Sequence, residues 1–262
     1  MSGTGIDVDV GQHARHRESF YQAISRIPLW LLVLMIMAAV VVISVVRSEN
    51  YSEIAGFISK GLSFTIRISV LGYALALVVG LIVGLGRVSS NPIIYTVATL
   101  YVEILRGVPI LVVILYVAFV ISPRVGVRSD IVRAIVALGL AYAAYLAEVY
   151  RAGIQSIPKG QIEAAHSLGM NRYQTMRYVV LPQAIRLILP PLGNDFIAIL
   201  KDSSLATVIS VPELTQQTRL YVSRTFDTFG GWTMAALLYL SMTLVLSLFV
   251  RVLERLSTYE RR

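Results

Sequence analysis

Six long apolar runs decide what this chain can fold into. A helix needs about 20 apolar residues to cross a bilayer. Runs of that kind lie at 28–46, about 62–86, about 101–121, about 131–150, about 185–209 and about 232–250. The chain is 56% hydrophobic and only 15% charged, against about a quarter charged in soluble domains. The expectation is an all-α polytopic membrane protein with about six transmembrane helices. Pro109 falls near the start of the third run and predicts a kink there. The fifth run holds Pro190 and Pro191, which predict a broken helix with freed carbonyls.

The net charge is +8. No long basic loop with interleaved aromatics accompanies it, so the excess reads as helix-end charge and not as a nucleic-acid surface. With the N-terminus placed in the cytoplasm, that side receives about 14 Lys and Arg and the other about 8. This bias places both termini inside. Residues 1–27 read as a cytoplasmic tail leading into a retained helix, too long and too acidic before its first apolar run for a cleavable signal. Residues 251–262 form a basic cytoplasmic tail. The chain has no cysteine, and His13, His16 and His166 lack metal-ligand spacing. No cofactor is expected in this chain.

One polar segment interrupts the apolar pattern, EAAHSLGMNRYQTMRYVVLP, residues 163–182. Pro158 suits a helix start and Gly169 a helix stop. Ile162, Ala165 and Leu168 fall on one face. Asn171 predicts the cap of a second short helix, with Gln174 as its capping-box partner. Pro182 ends or kinks that helix. The face with Ala164, Ala165 and Gly169 is small, which suits close docking into a protein groove better than burial among lipid tails.

The spacing Glu163-Ala164-Ala165, three residues, Gly169, nine residues, Val179, one residue, Leu181-Pro182 resembles the EAA signature of ABC-importer permease subunits. Val179 in place of isoleucine is the one departure. The flanks AYLAEVYRAGIQSIPKGQ, LPQAIRLILPPLGNDFIAILKDSSL and YVEILRGVPILVV are similar to the polar amino acid permeases of that superfamily, the histidine and glutamine uptake type. GLSFTIRIS is similar to the opening of their core. The resemblance implies a five-helix type I importer core over 61–250, with 28–46 as an extra N-terminal helix. It implies that the loop 156–182 couples to an ATPase through Glu163, Ala164, Ala165, Gly169, Leu181 and Pro182.

The partners it implies are two copies of an ABC ATPase carrying ATP and Mg, a second permease chain as homodimer or heterodimer, and an extracytoplasmic amino-acid-binding protein. The location it implies is a bacterial or archaeal inner membrane. This chain holds no ATPase of its own. Its lysines, Lys60, Lys159 and Lys201, are preceded by Ser59, Pro158 and Leu200, and none completes a phosphate-binding loop.

Charges inside a span need a reason. Asn194, Asp195, Lys201 and Asp202 share one helical face, with Ser203 and Ser204 following. Two readings stand open. The face lines a path for a zwitterion, or the charges pair with neighbouring helices and hold the bundle. Glu103 with Arg106, and Glu148 with Arg151, are spaced to pair along a helix. Arg67 reads as an anchor reaching for the interface. An ion-driven carrier remains the alternative class. Inverted repeats would favour it, and none stands out.

Overall fold

The computed structural model describes residues 49–259, together with Ile36, Ala39, Val40 and Ile43. The chain divides into two compact units, residues 1–52 and 53–262. The expected first span, 28–46, lies outside the described residues apart from those four positions, which are helical.

Every regular element described is helical. In chain order these are α1 (Glu49–Ile58), α2 (Leu62–Gly86), α3 (Pro92–Gly107), α4 (Ile110–Tyr116), α5 (Ser122–Arg124), α6 (Asp130–Gln155), α7 (Lys159–Ser167), α8 (Arg172–Thr175), α9 (Leu181–Asp202), α10 (Leu214–Thr225) and α11 (Thr228–Tyr259). A single turn of tighter helix joins α1 to α2. Wide π turns follow α4 and α8, and a 3-10 run Ser203–Ile209 follows α9.

The bundle is organised on the pairing of α2 with α6. Ile68, Gly72, Ala76, Gly80 and Gly84 recur every fourth residue on the buried face of α2. They meet Ala134, Ala137, Leu138, Ala141, Ala144 and Ala147 of α6. Lipid tails are as apolar as leucine, so such helices associate through close packing of small residues. A Cβ at Gly80 would lie 2.9 Å from Leu146 Cβ and 3.0 Å from the Ala143 carbonyl oxygen. At Gly84 it would lie 2.9 Å from Tyr150 Cβ.

Three helices are long and apolar enough to cross a membrane: 51–86, 130–155 and 228–251. The pair α3 and α4–α5 makes a fourth only if counted as one broken span. The expectation of six is therefore corrected to three, or four with the bent pair, among the described residues. The fifth run, 185–209, is helical and carries Arg186, Asp195, Lys201 and Asp202, and it is not among these apolar spans.

The third run is also corrected. It is no kinked single helix from 101 to 121 but two helices at 106°. Pro109 forces Val108 into an extended conformation, φ −102° and ψ 133°. The first of the two helices begins earlier, at Pro92, with the Asn91 side chain accepting from the Ile93 and Ile94 amides.

Pro190 and Pro191 do not break α9, which runs through them to Asp202. Pro182 does not end a helix either. It sits in the first turn of α9, just after the π turn Met176–Val180. The helical path is thus continuous from Arg172 to Asp202.

Candidate coupling segment and translocation face

α7 starts after Pro158 and stops at Gly169, which has φ +80°. Met170 donates its amide to the Ala165 carbonyl at 3.1 Å, and Gly169 to the His166 carbonyl at 2.9 Å. That pair of bonds closes the helix end around a left-handed glycine. Asn171 and Gln174 then form the reciprocal capping box, each amide donating to the other side chain at 2.9 Å. Gln183 Nε2 donates to Gln161 Oε1 at 2.7 Å and to the Val179 carbonyl at 2.8 Å. This clips α7 to the first turn of α9, beside Leu181 and Pro182, both exposed.

The expected docking face divides. Ala165 is buried against its own chain, whereas Glu163, Ala164 and Gly169 face outward. Leu168 does not join Ile162 and Ala165. The helix ends at Ser167, and Leu168 swings out to 79% exposure. Tyr173 stands out equally, at 73%.

On α9, Asn194 and Lys201 are exposed, Asp195 and Asp202 are half-buried, and Ile199 and Leu200 point into the core. Tyr142 of α6 donates to Asp202 Oδ2 at 2.8 Å. Tyr73 of α2 donates to the Leu192 carbonyl at 2.7 Å, and its ring packs on Phe196 at 4.9 Å. Ser203 is fully buried, its hydroxyl donating back to the Leu200 carbonyl at 2.7 Å.

Of the two expected helix pairs, Glu148 with Arg151 is formed. It is enlarged by Arg87, whose Nη1 lies 2.5 Å from Glu148. Glu103 and Arg106 form no ion pair among the described residues. Arg106 lies over the Tyr145 ring instead, 5.6 Å from its centre.

Glu213 is a site that sequence reasoning passed over. It lies in the connection 211–231, read from sequence as a loop, where it caps α10. Its carboxylate is fully buried and accepts from the Thr215 and Gln216 amides at 2.7 Å and from the Tyr239 hydroxyl at 2.8 Å. Burial pushes this carboxyl above the usual glutamate range, and those donors pull it back. The available signal was a Glu followed two and three residues on by Thr215 and Gln216, a cap pattern without the usual Ser, Thr, Asp or Asn.

Among the described residues no group of three or more His, Cys, Asp or Glu is placed to hold a metal ion. The profile of the family described as the binding-protein-dependent transport system inner membrane component matches residues 76–258.

The chain belongs to that family, the EAA-loop permease subunits of ABC importers, in which a separate subunit hydrolyses ATP. It is 40% identical to the probable amino-acid ABC transporter permease protein YckA of Bacillus subtilis over 200 residues, 76% of this chain and 88% of that one. It is 41% identical to the glutamine transport system permease protein GlnP of Escherichia coli over 198 residues, 75% and 90% of the two chains. A crystal structure of an amino acid ABC transporter with histidines superposes with TM-score 0.72 at 37% identity, over 79% of this chain and 95% of that one. An inward-facing methionine ABC transporter, at 22% identity and TM-score 0.68, shares the fold.

Proposed function

We propose that this chain is the permease subunit of an importer for polar amino acids, seated in a bacterial inner membrane with both termini in the cytoplasm. The reading counts α9 as a core helix that crosses the membrane inside the bundle despite its charges. It takes the described helices as a five-helix core, to which 28–46 adds one N-terminal helix. α7 lies in a groove of an ABC ATPase, with Glu163, Ala164 and Gly169 at the joint and Leu181 and Pro182 behind it. Two ATPase copies bind ATP and Mg, and a second permease chain completes the path. An extracytoplasmic binding protein delivers the amino acid to the end of the bundle that carries α10.

The observation that carries the reading is the outward face of α7 with Leu168 just beyond its end, standing clear of their own chain. The polar amino acid class is supported by the relatives named for glutamine and by the transporter crystallised with histidines. The path reading rests on Asn194, Asp195, Lys201 and Asp202 sharing a partly exposed face of α9.

The test is co-purification. Tagged wild type and a Gly169→Asp variant are extracted from native membranes in mild detergent. An ATPase retained by wild type and lost by the variant is the expected result. A well-behaved wild type without any ATPase would sink the coupling reading and bring ion-driven transport forward.

A further inference from the structure

Arg106 stands in the last turn of α3, beside Gly107 and the 106° break. It is exposed and makes no hydrogen bond or ion pair among the described residues. Glu148 lies one helical turn beyond Tyr145, but its oxygens are already engaged by Arg87 and Arg151. Arg106 is therefore an extra cation beside a carboxylate that is already shared.

Its depth matters. Tyr145 lies about 15 Å along α6 from the helix end at Gln155, within a helix long and apolar enough to span. A guanidinium within a span is costly against lipid and belongs where it faces water or an anion. The Tyr145 ring in turn touches Tyr142 at 5.8 Å, and Tyr142 holds Asp202. The unpaired cation thus borders the aromatic patch that anchors the charged face of α9.

We infer that Arg106, stacked on Tyr145, is a carboxylate subsite on the translocation route, taking the α-carboxylate of the passing amino acid. The inference rests on the amino acid reading above. The guanidinium lies over the ring face and, being exposed, keeps donors to offer. Its edge is a planar fork of donors that matches a carboxylate two-to-two. The α-carboxylate is common to all amino acids, so this subsite holds the backbone of the cargo and leaves side-chain selection to other residues.

The permease–ATPase complex, purified in detergent, is dialysed against a radiolabelled mixture of the standard amino acids. Wild type is expected to bind at least one of them, and its α-amide, which lacks the carboxylate, fails to compete. Arg106→Gln weakens that binding about tenfold or more. Arg106→Lys, which keeps the charge and loses the fork, weakens it less. Glu103→Gln, one turn away and without a partner, binds as wild type.

Unchanged binding by Arg106→Gln overturns the subsite, as does a wild-type complex that binds none of the mixture. If Arg106→Gln does not fold, Arg106→Lys decides alone: binding equal to wild type, or an amide that competes, overturns the proposal. If Arg106→Gln binds normally but splits the complex on sizing, its anion is a carboxylate of a neighbouring subunit and the subsite is wrong. The parent reading is tested separately by ATP-dependent uptake with the binding protein present. Absence of any uptake by wild type condemns that reading, whereas uptake with unchanged Arg106→Gln binding condemns only the subsite.

Discussion

Arg87, capping the end of α2, reaches Glu148 on α6 at 2.5 Å, and Glu148 also takes Arg151. One carboxylate thus ties together the two helices that lead toward the coupling segment. Both cations are largely shielded, with 11% of the Arg87 side chain and 28% of the Arg151 side chain exposed. Glu148→Ala leaves two guanidinium groups without their shared anion. The expected loss is about 2 kcal/mol, between the values for exposed and fully buried pairs. Thermal unfolding in detergent reads it, and adding Arg87→Ala to Glu148→Ala restores part of the loss. Independent, additive effects of the two changes would show that the pair is not coupled.

The seam of small residues predicts opposite outcomes at two glycines. Gly80→Ala drives a methyl into Leu146 and the Ala143 carbonyl, neither at the flexible end of a side chain. It is expected to cost about 1–3 kcal/mol. Gly56→Ala in α1 meets nothing within 4 Å and gains up to about 1 kcal/mol of helix propensity. Unfolding midpoints of the two variants should move apart, and equal shifts would remove the seam argument.

Asp202→Asn keeps the shape of the side chain and removes its charge. On the path reading it abolishes uptake while the ATPase still co-purifies. Normal uptake by this variant would leave Asp202 as a structural partner of Tyr142 and nothing more. Tyr142→Phe removes only the hydrogen bond and should cost about 1 kcal/mol of stability.

Glu213 carries a pH signature. Its folded carboxyl holds its proton to higher pH than an unfolded glutamate, whose value is about 4.3. The folded state therefore binds more protons in the interval between the two values. Its contribution to stability is fully present below the unfolded value and is lost as pH rises through the folded one. Relative to Glu213→Gln, the wild-type melting midpoint should fall as pH rises above about 4.3. A wild-type midpoint that rises relative to the variant contradicts the sign.

The coupling segment was the most legible part of the chain, because local chemistry sets it. Gly169, Asn171 and Gln174 act within a few residues of themselves, and the structure places the glycine stop and the capping box where the sequence expects them. The prolines were misread. A proline removes one amide bond whatever its surroundings, but whether the helix then breaks depends on neighbours. Tyr73 donating to the Leu192 carbonyl and Val250 packed over Gly193 hold α9 in line past Pro190 and Pro191. Pro109 had no such support and produced a sharper turn than a kink.

Long-range pairings were not legible at all. Nothing in GLSFTIRIS announces that Gly61 lies with its Cα against the Glu213–Leu214 backbone, or that Thr65 Oγ1 accepts from the Leu214 amide at 3.2 Å. The same holds for Tyr142 and Tyr145, two tyrosines in an alanine-rich helix whose partners sit on α9 and α3.

The unbroken helical run from Arg172 to Asp202 has a mechanical meaning. From Gln183, which is clipped to α7 through Gln161, to Asp202 it is a rod of about 28 Å. A tilt of about five degrees at the clip displaces Asp202 by about 2.5 Å over that length. That is more than a hydrogen bond such as the one from Tyr142 can stretch. A small push on α7 is therefore leveraged into making or breaking a contact deep in the membrane, with no need for the bundle to melt or reshuffle.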